Sequence, residues 1–158
     1  QSAQLAAQSD WNFIFAAHLN GDRALLRDVL SFWQTHSTRP TIVAVQVIVA
    51  DSNDTAAQLA ENVQIWGVEL ENGQRVTVAS EEQALAFAAQ AGSPPRKIAR
   101  REQALLHGTA HDVLAKLNAL HTQFGINEFI IDTPVAEGHA RLTSLRLLAQ
   151  AHNAVEVV

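Results

Sequence analysis

The run TIVAVQVIVA, Thr41 to Ala50, constrains the fold of this chain more than any other segment. Six of its ten residues are Val or Ile and only Thr41 and Gln46 are polar. It is too short for a membrane helix, which needs roughly 18 apolar residues. Its β-branched density fits a strand buried on both faces, the pattern of a parallel sheet covered by helices. Two further runs read the same way: WNFIFAAH, Trp11 to His18, and INEFIIDTP, Ile126 to Pro134. Helical periodicity fills the spaces around them. SAQLAAQ opens the chain as a short helix with Ser2 at or near its N-cap. A helix from about Asp22 repeats Leu26, Val29, Leu30 and Trp33. Asp51, Ser52 and Asn53 offer caps for a helix marked by Ala56, Leu59, Ala60, Val63 and Trp66. Thr109 and Asp112 resemble a capping box before Val113, Leu117, Leu120 and Phe124, and Gly125 is placed to end that helix. Ala140 to His152, with Leu142, Leu145, Leu148 and Ala149, closes the chain.

Strands separated by helices pair in parallel, because a hairpin cannot return a strand in the same direction. The expectation is therefore an α/β fold with three parallel strands near 11–18, 41–50 and 126–132. Between the second and third, ENGQRVTV reads as a turn and a short extended piece, SEEQALAFAAQ as a helix and SPPR as its break. The whole stretch is predicted as a helical excursion over about 54–107. At 158 residues the chain suits a small open sheet or part of an eight-stranded barrel, which takes about 250. Periodicity does not choose between them.

Charge narrows the partners. The net charge is -5, and Lys and Arg gather only at Arg96, Lys97, Arg100 and Arg101. That balance argues against nucleic acid and anionic membranes. With no signal-peptide pattern at the N-terminus, the chain is read as cytoplasmic. The absence of Cys excludes a disulfide framework, a thiol nucleophile and a thiolate metal site. The absence of Met suggests a fragment or a processed chain.

Strand parity names candidate site residues. Val43, Val45, Val47 and Val49 share one face, and Ile42, Ala44, Gln46, Ile48 and Ala50 the other. Valines placed against helices put Gln46 inside, where its amide needs a neighbouring side chain, water or a ligand. In the first strand His18 shares a face with Asn12, Ile14 and Ala16, at the C-terminal end where parallel α/β folds gather ligands. It either lines a pocket or caps local backbone. Asp132 and Thr133 end the third strand and either face a pocket or cap a turn. His107 and His111 have an i, i+4 spacing, but a helix start falls between them and the Glu of H-E-x-x-H is absent, so no metal site is expected. His36, His121, His139 and His152 fall on helical surfaces or ends. No Gly-rich phosphate loop or nucleophile elbow occurs, and no catalytic residue is identified.

Three stretches together resemble the bacterial-luciferase-like monooxygenases, flavin or deazaflavin enzymes on a (β/α)8 barrel. SAQLAAQ with NFIFAAH is similar to the family's helix after the fifth strand and its sixth strand. TIVAVQVIVADSNDTAAQLA is similar to the seventh strand and the helix start after it. HGTAHDVLAKLNALHTQFGINEFIID with HARLTSLRLLAQ is similar to the closing helix, eighth strand and terminal helix. They occur in the family's order, so the three strands are expected to lie adjacent in that order, and only about Asn72 to Ala99 diverges. The resemblance implies a partial TIM barrel, about the last three strands with their helices, with residues 1–158 forming the C-terminal segment of the barrel. It implies a flavin-dependent monooxygenase that uses reduced FMN and dioxygen to oxygenate a small organic substrate, with deazaflavin as the alternative cofactor. Ser2, His18 and Gln46 would then face the cofactor, Ser2 through the FMN phosphate at a helix N-terminus. The implied partners are the missing N-terminal barrel segment, a small-molecule substrate, a flavin reductase and a further copy in a homo-oligomer. The fragment alone is expected to be inactive. The competing reading is a non-catalytic luciferase-like accessory or interaction module.

Overall fold

Thr41–Ala50 does become the strand on which the largest sheet is assembled. In the computed structural model, which describes residues 1–17, 22–101 and 104–155, the chain divides into two units. One comprises Gln1–Ala60 with Ala104–Val158, and the other Glu61–Gln103. The first contains helices α1 (Ser2–Gln8), α2 (Arg23–His36) and α3 (Asn53–Glu61), and strands β1 (Ile14–Ala16) and β2 (Ile42–Val49). The second contains β3 (Ile65–Leu70), β4 (Arg75–Val78), α4 (Glu81–Gln90) and β5 (Pro95–Arg101). The chain then returns to the first unit with β6 (Leu105–Gly108), α5 (Ala110–Phe124), β7 (Glu128–Asp132) and α6 (Gly138–Val155). Among the described residues no helix is long and apolar enough to cross a membrane.

β1, β6 and β7 all pair with β2 in parallel. Ile42 is in register with both Ile14 and Glu128, so β1 and β7 lie on opposite edges of β2. Gln46 is likewise in register with both Leu105 and Asp132, which puts β6 on the β1 edge, further along β2. The three predicted strands are thus parallel, adjacent in the expected order, and end on the same side. Two readings change. β1 is shorter than Trp11–His18, and β6 is a fourth parallel strand where three were expected. At four residues, and followed at once by a helix cap, β6 is too short to register as a period-2 run.

Parity assigns the faces as read. Val43, Val45, Val47 and Val49 pack with Leu26, Leu30, Val113, Leu117, Phe124, Ile126 and Leu148 in one core. Several polar groups seal its margins. Trp33, fully buried, donates from Nε1 to the Pro40 carbonyl. Gln34 Nε2 donates to the Phe124 carbonyl, and Asn127 Oδ1 accepts from the Thr41 N–H. The Arg39 guanidinium grips Asp10 at 2.8 and 2.9 Å and Asn12 at 3.0 Å. That pairing holds the Asp10 carboxyl below its ordinary value.

The expected stripe of α6 is rotated. Leu142 and Leu145 are 53% and 40% exposed, while Ser144 and Leu148 are buried. The reason is a hydrogen bond: Ser144 Oγ accepts from the Val49 N–H at 2.8 Å. The Ala50 N–H points to Gly108 on the β6 edge, so alternation sends the Val49 N–H to the β7 edge, beyond the last register pair Gln46–Asp132. A hydroxyl there satisfies a buried donor that no strand reaches.

The second unit corrects the predicted helical excursion. It is a three-stranded antiparallel sheet in the order β4-β3-β5 with one helix, α4. α3 stops at Glu61, so Val63 and Trp66 are not on it, and Trp66 lies in β3. Ile65, Trp66 and Val68 favour extended backbone, and Gly67 among them weakens a helix. Val68 and Leu70 bury against Ala84 and Ala88 of α4. The turn after Glu71 and the extended RVTV are as read, and SEEQALAFAAQ is helical with Ser80 as its N-cap. SPPR does end the helix, but Pro95 begins β5. As an edge strand it tolerates proline.

Candidate functional site

The chemistry-bearing residues of the parallel sheet collect on the face turned away from the helices, toward the strands' C-terminal ends. Gln46 is half-buried there and donates from Nε2 to Asp132 Oδ2 at 2.7 Å. The amide's partner is therefore a neighbouring strand side chain, and register explains it: Gln46 and Asp132 are aligned across β2 and β7. Same-face neighbours in that register sit close enough to bond directly. The bond leaves the Gln46 carbonyl oxygen and the other Asp132 oxygen for a ligand. Below the pair the face is apolar, with Ala44 beside Ile130 and Ile42 beside Ile14. Ile14 and Ile130 are 48% and 40% exposed. Large aliphatics left open on one sheet face normally have a partner.

Thr133 follows Asp132 and is 5% exposed, and its Oγ1 has no hydrogen-bond partner among the described residues. A buried hydroxyl without a partner is costly enough to need a ligand, water or another chain.

The helix N-termini behind the strands are occupied by their own side chains. Ser52 Oγ accepts from the Thr55 N–H ahead of α3. Glu137 accepts from the His139 and Ala140 N–H groups ahead of α6, bonds that hold its carboxyl below the ordinary value, Ala140 contributing most. At α5, Thr109 Oγ1 accepts from the Asp112 N–H and donates to the Asp112 carboxylate at 2.8 Å. In a full capping box the third residue also bonds the cap's own N–H. Here Asn53 Oδ1 takes the Thr109 N–H instead, at 3.1 Å. Asp112 is one carbon shorter than the usual Glu. Its carboxyl is held below the ordinary value by the Thr109 hydroxyl first and Asn53 second.

Ser2 is the first residue of α1, behind Gln1 as N-cap, and is exposed; the N-cap makes no side-chain hydrogen bond. No hydrogen bond joins Ser2 to Gln46 or Asp132. His18 lies outside the described residues. His107 falls on β6 and His111 on α5, where the His111 ring is 93% exposed and 3.8 Å from Asp112. Among the described residues no three ligating side chains form a metal group. His121 is more than a surface residue: its Nδ1 is 2.6 Å from the Ile126 carbonyl, fastening the end of α5 to the segment before β7. Asp132 and Thr133 were weighed from sequence, but Ser144 was not. Its one signal was position, four residues before Leu148 on the same helical face.

No protein-family model matches the chain. It is 28% identical over 155 residues to the N-acetyl-S-alkylcysteine monooxygenase of Bacillus subtilis strain 168, spanning 96% of this chain and 46% of that protein. Its fold matches the crystal structure of apo-MsnO8 with a TM-score of 0.63 at 18% identity, over 96% of this chain and 48% of that one. The chain spans about half the length of each. It is thus a mixed α/β protein with a parallel sheet, similar along nearly its whole length to half of a monooxygenase.

Proposed function

We propose that this chain is the C-terminal part of a luciferase-like flavin-dependent monooxygenase, contributing about the last three strands of a (β/α)8 barrel. The observation that carries the reading is the sheet itself: parallel strands with helices on one face and a second face, open at Ile14 and Ile130, bearing the Gln46–Asp132 pair. The similarity to a monooxygenase over 96% of the chain supports it. In a barrel that open face is the interior, and the C-terminal ends of the strands are where sites form.

The residues present fit one end of a flavin. An isoalloxazine ring presents adjacent donors and acceptors, which a carboxamide such as Gln46 complements. The phosphate would meet Ser2 at the uncapped start of α1, and His18 would line the mouth. Reduced FMN would supply the chemistry with dioxygen. The chain would orient the ring through Gln46, itself held by Asp132, and keep water away with Ile14, Ala44 and Ile130. Deazaflavin is the alternative cofactor, and a flavin reductase would supply reduced FMN. The relative's name makes an S-alkylated cysteine derivative the first substrate to test.

The test is the absorption spectrum and ligand mass of the parent protein carrying residues 1–158, purified without added cofactor. A retained flavin, with oxygenation of an S-alkylated cysteine derivative after reduction, is the expected result. A parent protein that binds neither flavin nor deazaflavin would leave the accessory-module reading in its place. The 158-residue chain alone should bind FMN weakly or not at all, because most of the pocket lies on other strands. Tight stoichiometric quenching of FMN fluorescence by it would refute the fragment reading.

A further inference from the structure

The antiparallel sheet of the second unit has a face that the monooxygenase reading does not use. Register divides its side chains cleanly. Trp66, Val68 and Leu70 of β3, with Val76, Val78 and Ile98, lie on the face that α4 covers. The other face carries Glu69, Arg75, Thr77, Lys97, Ala99 and Arg101 around Gly67. Five of the chain's eleven Lys and Arg residues fall between Arg75 and Arg101, in a protein of net charge -5.

The residues of that face other than Thr77, joined by Arg100, line a concavity of about 280 Å³. Its floor is small because Gly67 and Ala99 are in register at its centre. Lys97 and Arg101 stand two residues to either side of Ala99, so both project from the same face with the floor between them. The Arg101 guanidinium is folded across Gly67, where a Cβ would collide with it. Gly67 therefore holds open the space in which that cation lies.

The acid on this face is already committed. Glu69 accepts from Arg75 at 3.2 Å and pairs with Arg96 at 3.6 Å. Among the described residues Lys97 and Arg101 make no ion pair. Arg75, Lys97, Arg100 and Arg101 line the concavity against the one carboxylate of Glu69, a local excess of three positive charges. Unpaired cations normally spread into solvent, yet the Arg101 guanidinium lies over the Gly67 backbone, with Lys97 on the same strand face beyond Ala99.

We infer that this face is an anion site, and that its ligand is a phosphate group, free or as a small phosphomonoester. Two free cations across a small floor match a dianion, and a planar guanidinium matches phosphate oxygens in pairs. The volume lies below the usual 300–1,000 Å³ of small-molecule pockets, so the group bound is small.

The test uses the whole 158-residue chain, labelled with 15N and titrated at constant ionic strength with inorganic phosphate, glycerol 2-phosphate and glycerol. Both phosphates should give saturable shifts centred on Gly67, Ala99 and Arg101, and glycerol none. Tighter binding of glycerol 2-phosphate would identify an ester as the source, and equal binding free phosphate; either supports the site. Lys97→Gln with Arg101→Gln should weaken binding roughly tenfold or more, and Arg23→Gln should leave it unchanged. Both substituted positions are exposed, so the fold is not at stake. Gly67→Ala, which displaces Arg101 without removing it, should also weaken binding. Linear shifts without saturation, shifts centred elsewhere, or an affinity indifferent to the double substitution would overturn the inference.

Discussion

At the scale of single residues, the side chains that matter most are those whose partners lie far away in sequence. Ser144 meets Val49 across 95 residues and Gln46 meets Asp132 across 86. Ser144→Ala would bury the Val49 N–H without a partner, and should destabilise the chain by about 1–3 kcal/mol, measured by urea denaturation. A loss within error would mean that water replaces the hydroxyl. Asp112 offers a pH test. Its folded value is depressed by Thr109 and Asn53, so its stabilisation is present above the unfolded value of about 3.9 and drains away as pH falls through the depressed one. The stability gap between wild type and Asp112→Asn should be widest near neutrality and close in strong acid. A gap independent of pH would assign the effect to capping geometry alone. Strand parity made Gln46 legible as an inward amide. Its partner was not, because register across two strands is a tertiary property.

At the scale of elements, α5 was the most fully legible. Thr109, Asp112, its apolar stripe and Gly125 all appear in the structure in the roles read for them, although Asn53 supplies the second half of the cap. Gly125 has φ +62° and accepts nothing larger without strain. Gly125→Ala should cost about 1–2 kcal/mol for a left-handed residue bearing a Cβ, and more if Gln34, whose Nε2 would lie 3.0 Å from that Cβ, cannot give way. A lowered urea midpoint with an unchanged slope checks it. The excursion shows where such reading fails. Val63 and Trp66 continue the spacing of Ala56, Leu59 and Ala60, so periodicity carried the helix past Glu61. Pairing with β4 and β5 prevailed because it bonds β3 along both edges while burying Val68 and Leu70. α6 failed more narrowly. Its extent was close to the reading, but one hydroxyl rotated its buried face.

For the whole molecule, the open sheet face sets the expected behaviour in solution. Ile14 and Ile130 are exposed on it, so the isolated chain should associate with itself or with the barrel segment we propose as its partner. Sedimentation velocity should show association rising with concentration, and Ile14→Ser with Ile130→Ser should reduce it. A monomer at all concentrations would show that the face is self-sufficient. The sequence by itself determined the alternation of strands and helices, the valine face of β2 and the caps of α5. Each of these depends on neighbours within a few residues, through alternation, helical period or the reach of a short side chain. Only the tertiary structure decided the Gln46–Asp132 pair, the Ser144 bond that turns α6, the fourth parallel strand and the antiparallel sheet of Glu61–Gln103. Those depend on which backbone edges remain unpaired after the local elements form, and a hydrogen bond between strands carries no periodicity that a single segment can display.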